Sequence, residues 1–321
     1  MIHNLLSSLA RQSWLRKMAM STPILRDMAW RFVAGESLEE GFEAVRGLNA
    51  RGIMGTLNFI GTHVRDKAEA IRAVDTAVGN LNRIHDLNLN THLSLKLTQI
   101  GLDIDQGLCQ TGLDRILATA CACGNFVRID MEESPYTEVT LKMFEAAHEQ
   151  FPDSVGIVLQ SYLKRNPADL ERMMALGAGV RLVKGGYWES ADVAFRSKAE
   201  VDAAFLRDIA NLILHGKYPA IATHDPVAIQ RTVQLAEASG RDKASYEFQV
   251  LYGVGEAQVE ALLNQGHRVR SYVPYGTHWY EYVLGCVRQD PARFFRSLLP
   301  GSKSRMTGPG HPPAKQAERS L

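Results

Sequence analysis

The chain has 321 residues, of which 36 are Lys or Arg and 35 are Asp or Glu, and 45% are hydrophobic. A net charge of +1 gives no field for holding nucleic acid by its phosphates, and this apolar content with 22% charge argues against disorder. No apolar run approaches the ~18 residues of a membrane-spanning helix, and the length suits two ordinary domains or one large α/β barrel.

In chain order, Ser7 to Phe32 reads as a helical arm, with Leu15, Met18, Ile24, Leu25 and Met28 as its apolar points. Eight short apolar, β-branched runs follow. They are Gly52–Gly61, Thr91–Ile100, Phe126–Glu133, Val155–Tyr162, Val180–Tyr187, Pro219–Asp225, Tyr246–Gly253 and Arg268–Gly276. Helical periods lie between them, as in Ala68 to Asn88, where Ile71, Val74, Val78, Leu81 and Ile84 recur three and four apart. Alternating strand and helix predicts a parallel sheet, and eight units is the count that closes a (βα)8 barrel. An open doubly wound sheet is the alternative, but no G-x-G-x-x-G turn is present. The segment from Gly301 onward is rich in Gly, Pro and charge and reads as a disordered tail. The expected organisation is an arm over 1–35, a barrel over 36–300 and a tail over 301–321. Four cysteines, none in a CxxC pair, and no secretory pattern predict a reduced, cytoplasmic protein.

The strand ends are unusually polar. In LSLKLTQ, Leu93, Leu95 and Leu97 share one face while Ser94, Lys96 and Thr98 share the other. If the leucines meet the helices, Lys96 points inward. Arg128, Asp130 and Glu132 alternate in the same way in the third strand. Later strands contribute Gln160, then Arg181, Lys184 and Tyr187, then Thr223, His224 and Asp225, then Glu247 and Gln249, then Tyr272 and Tyr275. Any one of these could be a structural ion pair or a satisfied core histidine. Their concentration on many strand ends points to a site at the C-terminal face of the barrel. There is no H-x-H or H-E-x-x-H, so no metal is expected, and no G-x-S-x-G supports a serine nucleophile. The cations Lys96, Arg181, Lys184 and His224 suit an anionic cofactor or substrate.

RLVKGGYWE (Arg181–Glu189), LSLKLTQIGLD (Leu93–Asp103), VRIDMEESP (Val127–Pro135), VGIVLQSYL (Val155–Leu163), ATHDP (Ala222–Pro226), YEFQVLYGV (Tyr246–Val254) and YVPYGTHWYEY (Tyr272–Tyr282) resemble the motifs of proline dehydrogenase. The resemblance is to the monofunctional bacterial type and runs from about Arg31 to about Leu299. It implies a distorted (βα)8 barrel that binds FAD non-covalently, oxidises L-proline to pyrroline-5-carboxylate and passes electrons to a membrane quinone, with peripheral contact at the inner membrane face. By the same resemblance Arg181 sits by the flavin N5, and Lys184, Gly185 and Gly186 approach the cofactor phosphates. Gln160, Thr223, His224, Asp225 and Gln249 line the flavin and its pyrophosphate, and Trp188 packs on adenine. Lys96, Asp130, Leu251 and Tyr272 border the substrate.

The chain departs from the family where the substrate carboxylate would be gripped. The family's Y-x-x-R-R, whose two arginines grip the proline carboxylate, is here Tyr282-Val283-Leu284-Gly285-Cys286. An expected glutamate further along is Gln289, and the gating glutamate of the first strand is Thr62. Cation and anion are lost together, which points to a changed substrate. Gly285, Cys286 and Thr62 then line the pocket of an FAD-dependent dehydrogenase for a proline-like cyclic secondary amine with a masked or absent carboxylate, a role in specialised metabolism. Two readings stand beside it. One is an ordinary proline dehydrogenase whose clamp is rebuilt from Arg288, His63 or His278. The other is a non-catalytic flavin-binding protein.

Overall fold

The computed structural model describes residues 30–61 and 64–289. The expected tail over 301–321, and the expected arm up to residue 29, lie outside the described residues. Residues 30–35 form a turn and extended chain against the barrel, with Ala34 N–H donating to Pro274 O at 2.8 Å.

Helix α1 (Leu38–Asn49) opens on a capping box between Ser37 and Glu40. Eight strand and helix units follow. They are β1 (Met54–Phe59) and α2 (Lys67–Asp86), β2 (Thr91–Leu95) and α3 (Gln106–Ala122), and β3 (Val127–Ile129) and α4 (Ser134–Gln150). Then come β4 (Val155–Gln160) and α5 (Asn166–Ala175), β5 (Gly179–Val183) and α6 (Lys198–His215), and β6 (Tyr218–Ala222) and α7 (Pro226–Ala238). Last are β7 (Glu247–Leu251) and α8 (Glu256–Asn264), and β8 (Val269–Tyr275) and α9 (Trp279–Gln289). All neighbouring strands pair in parallel, and β8 closes on β1 through Thr56 opposite Tyr272. The fold is the expected (βα)8 barrel.

Outward strand residues make the core between sheet and helices. Leu57, Leu93, Val127, Ile157, Leu182, Phe248 and Val273 are fully buried there. Each such side chain contributes roughly 1.5–3 kcal/mol of burial.

The inward face differs from an ordinary barrel interior. Its lower layer holds Arg128, Arg270 and Glu247, each almost completely buried. Arg270 Nε donates to Glu247 Oε1 at 2.8 Å and its Nη1 to Gly55 O at 2.7 Å. Arg128 donates to the carbonyls of Ile157 and Gly179. Burial, reinforced by the nearby Arg181 charge, pulls the Arg128 guanidinium down to about 9. These large side chains require small neighbours. A Cβ at Gly156 would collide with Arg128, the Phe126 ring and Gly179 O. Glu247 begins β7 rather than ending it. It therefore belongs to the floor of the barrel and not to the polar strand ends with which it was grouped.

The second strand is also shorter than its alternating pattern predicts. It stops at Leu95, and Leu97–Ile100 turn as a single 3-10 helix. Thr98 N–H and hydroxyl both donate to Glu132, at 3.2 and 2.7 Å, which draws the chain out of the sheet. Lys96 is left at the corner.

Candidate active site

The upper layer of the barrel interior is built around Asp130. Its carboxylate accepts from Arg181 Nη1 at 2.7 Å, Ser94 Oγ at 2.8 Å and Tyr272 OH at 3.0 Å. The register makes this possible: Leu95 pairs with Ile129, Arg181 lies on β5, and Tyr272 lies on β8 across the barrel. The Arg181 guanidinium also lies 5.4 Å from the centre of the Tyr272 ring. Burial, with the Asp130 charge beside it, pushes the Tyr272 phenol well above its ordinary range, so it remains a hydrogen-bond donor.

Lys96 stands next to this cluster, since Asp130 N–H donates to Leu95 O at 2.8 Å. Burial opposes its charge, but Tyr187, Glu132 and Asp130 together hold the ammonium above its usual value. Glu132 and Tyr187, two of the polar strand residues, belong here, and so does Tyr282, which was not singled out as a site candidate. Glu132 and Tyr187 flank Lys96. Tyr282 on α9 faces Asp130 and Tyr272 and lies beside Cys286; burial and that thiol push its phenol well up. The signal for Glu132 was present in its alternation with Asp130. Tyr282 opens the divergent Tyr282–Cys286 segment itself.

Helix α9 is fixed over this end of the barrel by Trp279. Its indole N–H donates to Glu36 Oε1 at 3.0 Å, and its ring packs on Trp30 at 5.6 Å. Gly285 and Cys286 are half-buried on this helix. Among the described residues, nothing lies within 4 Å of where a Gly285 Cβ would stand. Thr62 and His63 lie outside the described residues, as do the side chains of Arg288 and Gln289. His278 lies beside the Thr277 hydroxyl.

The residues expected at a cofactor gather on β4 to β7. Among the described residues, Arg181 Nε and Nη2 are buried without a protein partner, and so is Gln160 Oε1. Buried donors and acceptors of this kind need a partner, and a polar planar ring system satisfies both types. Leu251 N–H donates to His224 Nε2 at 3.0 Å, which leaves the imidazole proton on Nδ1. Asp225 caps α7 through Val227 N–H, and its own N–H donates to the Thr223 hydroxyl at 3.0 Å. Gln249 donates to Glu247 at 2.5 Å, tying the floor layer to the site. Leu251 ends β7, across from Tyr272 in the register.

The expected phosphate contact Lys184 and the expected adenine contact Trp188 have more complicated surroundings. Lys184 bridges Asp202 at 2.5 Å and Asp225 at 2.6 Å, so its charge is shared by two carboxylates. Trp188 is 66% exposed, and the Arg196 guanidinium lies 4.2 Å from its ring centre. Gly185 has φ +105°, and a Cβ there would overlap the Tyr162 ring. Gly186 follows it in the same loop. Gly185→Ala is expected to displace this loop and lower the flavin content of purified protein severalfold, read from the ratio of visible to 280 nm absorbance.

The family model for proline dehydrogenase matches residues 42–280, which is most of the chain. The chain belongs to the proline dehydrogenase family. It is 38% identical over 264 residues to proline dehydrogenase 1 of Bacillus subtilis, covering 82% of this chain and 87% of that protein. It is 35% identical over 269 residues to proline dehydrogenase of Deinococcus radiodurans, covering 83% and 87%. Among solved structures, proline utilization A from Bdellovibrio bacteriovorus superposes with a TM-score of 0.79 at 22% identity, a likeness of fold. It covers 87% of this chain and 34% of that one, so the chain spans about a third of that longer protein. The family consists of FAD-dependent oxidoreductases acting on CH–NH groups, and the chain is one of them. The unpartnered Arg181 and Gln160 atoms fit that cofactor. No helix among the described residues is long and apolar enough to cross a membrane.

Proposed function

We propose that the enzyme oxidises a proline-like cyclic secondary amine from C–N to C=N, and that its substrate carries no free carboxylate. An ester, amide or thioester of proline, or another cyclic amine, satisfies this. One observation carries the reading: where the family motif has two arginines, α9 offers Gly285 with open space and Cys286 beside Tyr282. A buried bidentate carboxylate contact contributes roughly 3–5 kcal/mol when one partner is removed, too much for binding of free proline to tolerate unchanged.

FAD, when bound, accepts the hydride that leaves the substrate carbon. Arg181 would hold the cofactor ring, with Gln160, Thr223, His224 and Gln249 along it. Lys184, Asp225, Gly185, Gly186 and Trp188 would lie toward its phosphates and adenine. Lys96, Asp130, Leu251, Tyr272, Gly285, Cys286 and Thr62 would border the substrate. Asp130 anchors Arg181 and Tyr272 in one geometry. The Lys96 charge disfavours an ammonium beside it, so the substrate amine sheds its proton before hydride leaves. The family resemblance supports a quinone as acceptor and peripheral contact with the inner membrane face.

The second reading is oxidation of free L-proline, favoured by the charged, half-buried Lys96 and by the names of the relatives. The experiment that separates the two is anaerobic bleaching of the flavin absorbance. Prolinamide is expected to bleach it faster than L-proline, and the reverse order overturns the first reading. Gly285→Arg with Cys286→Arg is expected to raise kcat/KM for L-proline about a hundredfold while lowering that for prolinamide.

A further inference from the structure

The loop between β5 and α6 carries Lys184, Gly185, Gly186 and Trp188, the residues assigned to the cofactor's phosphates and adenine. Both of its limbs hang on the short stretch after β4. On the outgoing limb Tyr162 N–H donates to Lys184 O at 2.8 Å. On the returning limb Lys164 N–H donates to Val193 O at 2.9 Å, Phe195 N–H donates to Tyr162 O at 2.8 Å, and Leu163 bridges Ala194. The tip, Tyr187 to Glu189, lies beyond these bonds. Tyr187 and Glu189 are half-buried there, and Trp188 between them is exposed. Glu189 reaches a different loop. Its Oε1 accepts from Ser134 N–H at 2.7 Å and its Oε2 from the Ser134 hydroxyl at 2.6 Å. Ser134 opens α4, on the chain that leads away from Asp130. Its N–H is one of the donors that a helix start leaves free. Glu133, at the N-cap, makes no side-chain capping bond, and Pro135 has no N–H. A carboxylate is favoured at such a helix start, so α4 seats Glu189 from outside its own chain segment. The two loops thus meet over the C-terminal end of β4, between the strand of Asp130 and the strand of Arg181.

We propose, resting on the assignment of this loop to the cofactor, that Glu189 is a positioning residue: its two bonds to Ser134 hold the tip of the β5–α6 loop shut over the end of β4 and so set how long FAD stays bound. Glu189 acts through the loop, whose earlier residues face the cofactor. Breaking its bonds frees the tip while both limbs stay pinned to residues 162–164. Neither Glu189 nor Ser134 belongs to the apolar core, so the loop opens and the barrel stays folded.

The test is the rate of FAD release from the FAD-loaded protein, read as the rise of flavin fluorescence after dilution, with thermal unfolding measured in parallel. Glu189→Ala is expected to release FAD about tenfold faster, since two hydrogen bonds to a carboxylate are lost. A lower unfolding temperature with an unchanged release rate would make Glu189 a structural helix cap alone and overturn the proposal. Ser134→Ala removes one of the two bonds and is expected to speed release about threefold. In the Glu189→Ala background the same change is expected to add less than about 1.5-fold, because its partner is already gone. A full further threefold there, the product of independent effects, overturns the proposal. Gly185→Ala separates this proposal from the cofactor assignment beneath it. Unchanged release in Gly185→Ala defeats that assignment and the proposal with it. Faster release in Gly185→Ala with unchanged release in Glu189→Ala defeats the proposal alone.

Discussion

Arg181→Met is expected to lower kcat by about 10²- to 10³-fold and to destabilise the protein by roughly 3–5 kcal/mol. The two losses have different origins. Stability falls because Asp130 keeps Ser94 and Tyr272 but loses the guanidinium at 2.7 Å, leaving a buried carboxylate without its cation. Activity falls because the two buried nitrogens of Arg181 with no partner among the described residues, Nε and Nη2, are those available to a bound flavin. A double change, Arg181→Met with Asp130→Asn, separates them. It removes both members of the pair, so most of the stability is expected to return in a denaturant titration while kcat remains low. Return of activity along with stability would show Arg181 to be purely structural.

The pocket was legible where its residues sit on strands. Asp130 was read from period-two alternation, Arg181 and Tyr272 as polar residues of strand ends, and the barrel brings the latter two to the Asp130 carboxylate. Alternation could not show that the chain leaves the sheet after Leu95. That departure depends on Glu132, on another strand, capturing the backbone and side chain of Thr98. Glu247 was legible as an inward acid but not as a floor residue, because the count of residues from a strand's start is a matter of the whole sheet's stagger. Lys184 was legible as a cation near the site. Its two carboxylate partners are Asp225 on the next strand's loop and Asp202 on α6, and no local pattern links them. The loss of the arginine pair was legible only by resemblance. What the structure adds there is physical: among the described residues, open space beside Gly285.

The floor of the barrel makes the other large prediction. Glu247 and Arg270 are 1% and 2% exposed in their side chains and bonded at 2.8 Å. Removing one partner alone, as in Glu247→Ala, is expected to cost about 3–5 kcal/mol, since Arg270 would remain charged and buried. Replacing both, as in Glu247→Met with Arg270→Leu, is expected to recover most of that loss. Burial works against the Glu247 charge, but Arg270 overrides it and holds the carboxyl down to about 2. The sign of the pH effect follows. A carboxyl whose folded value lies below its ordinary 4.5 stabilises the fold fully above that value and loses its contribution as pH falls toward 2. The contribution is on the order of 3 kcal/mol. Thermal unfolding between pH 5 and about pH 2 should therefore fall more steeply in the parent than in the Met–Leu double variant. Gln249 donates to the same carboxylate, so the floor pair also fixes a side chain of the proposed cofactor site. Flavin retention should accordingly weaken in Glu247→Ala even at temperatures where the barrel remains folded, and unchanged retention would confine the pair to stability alone.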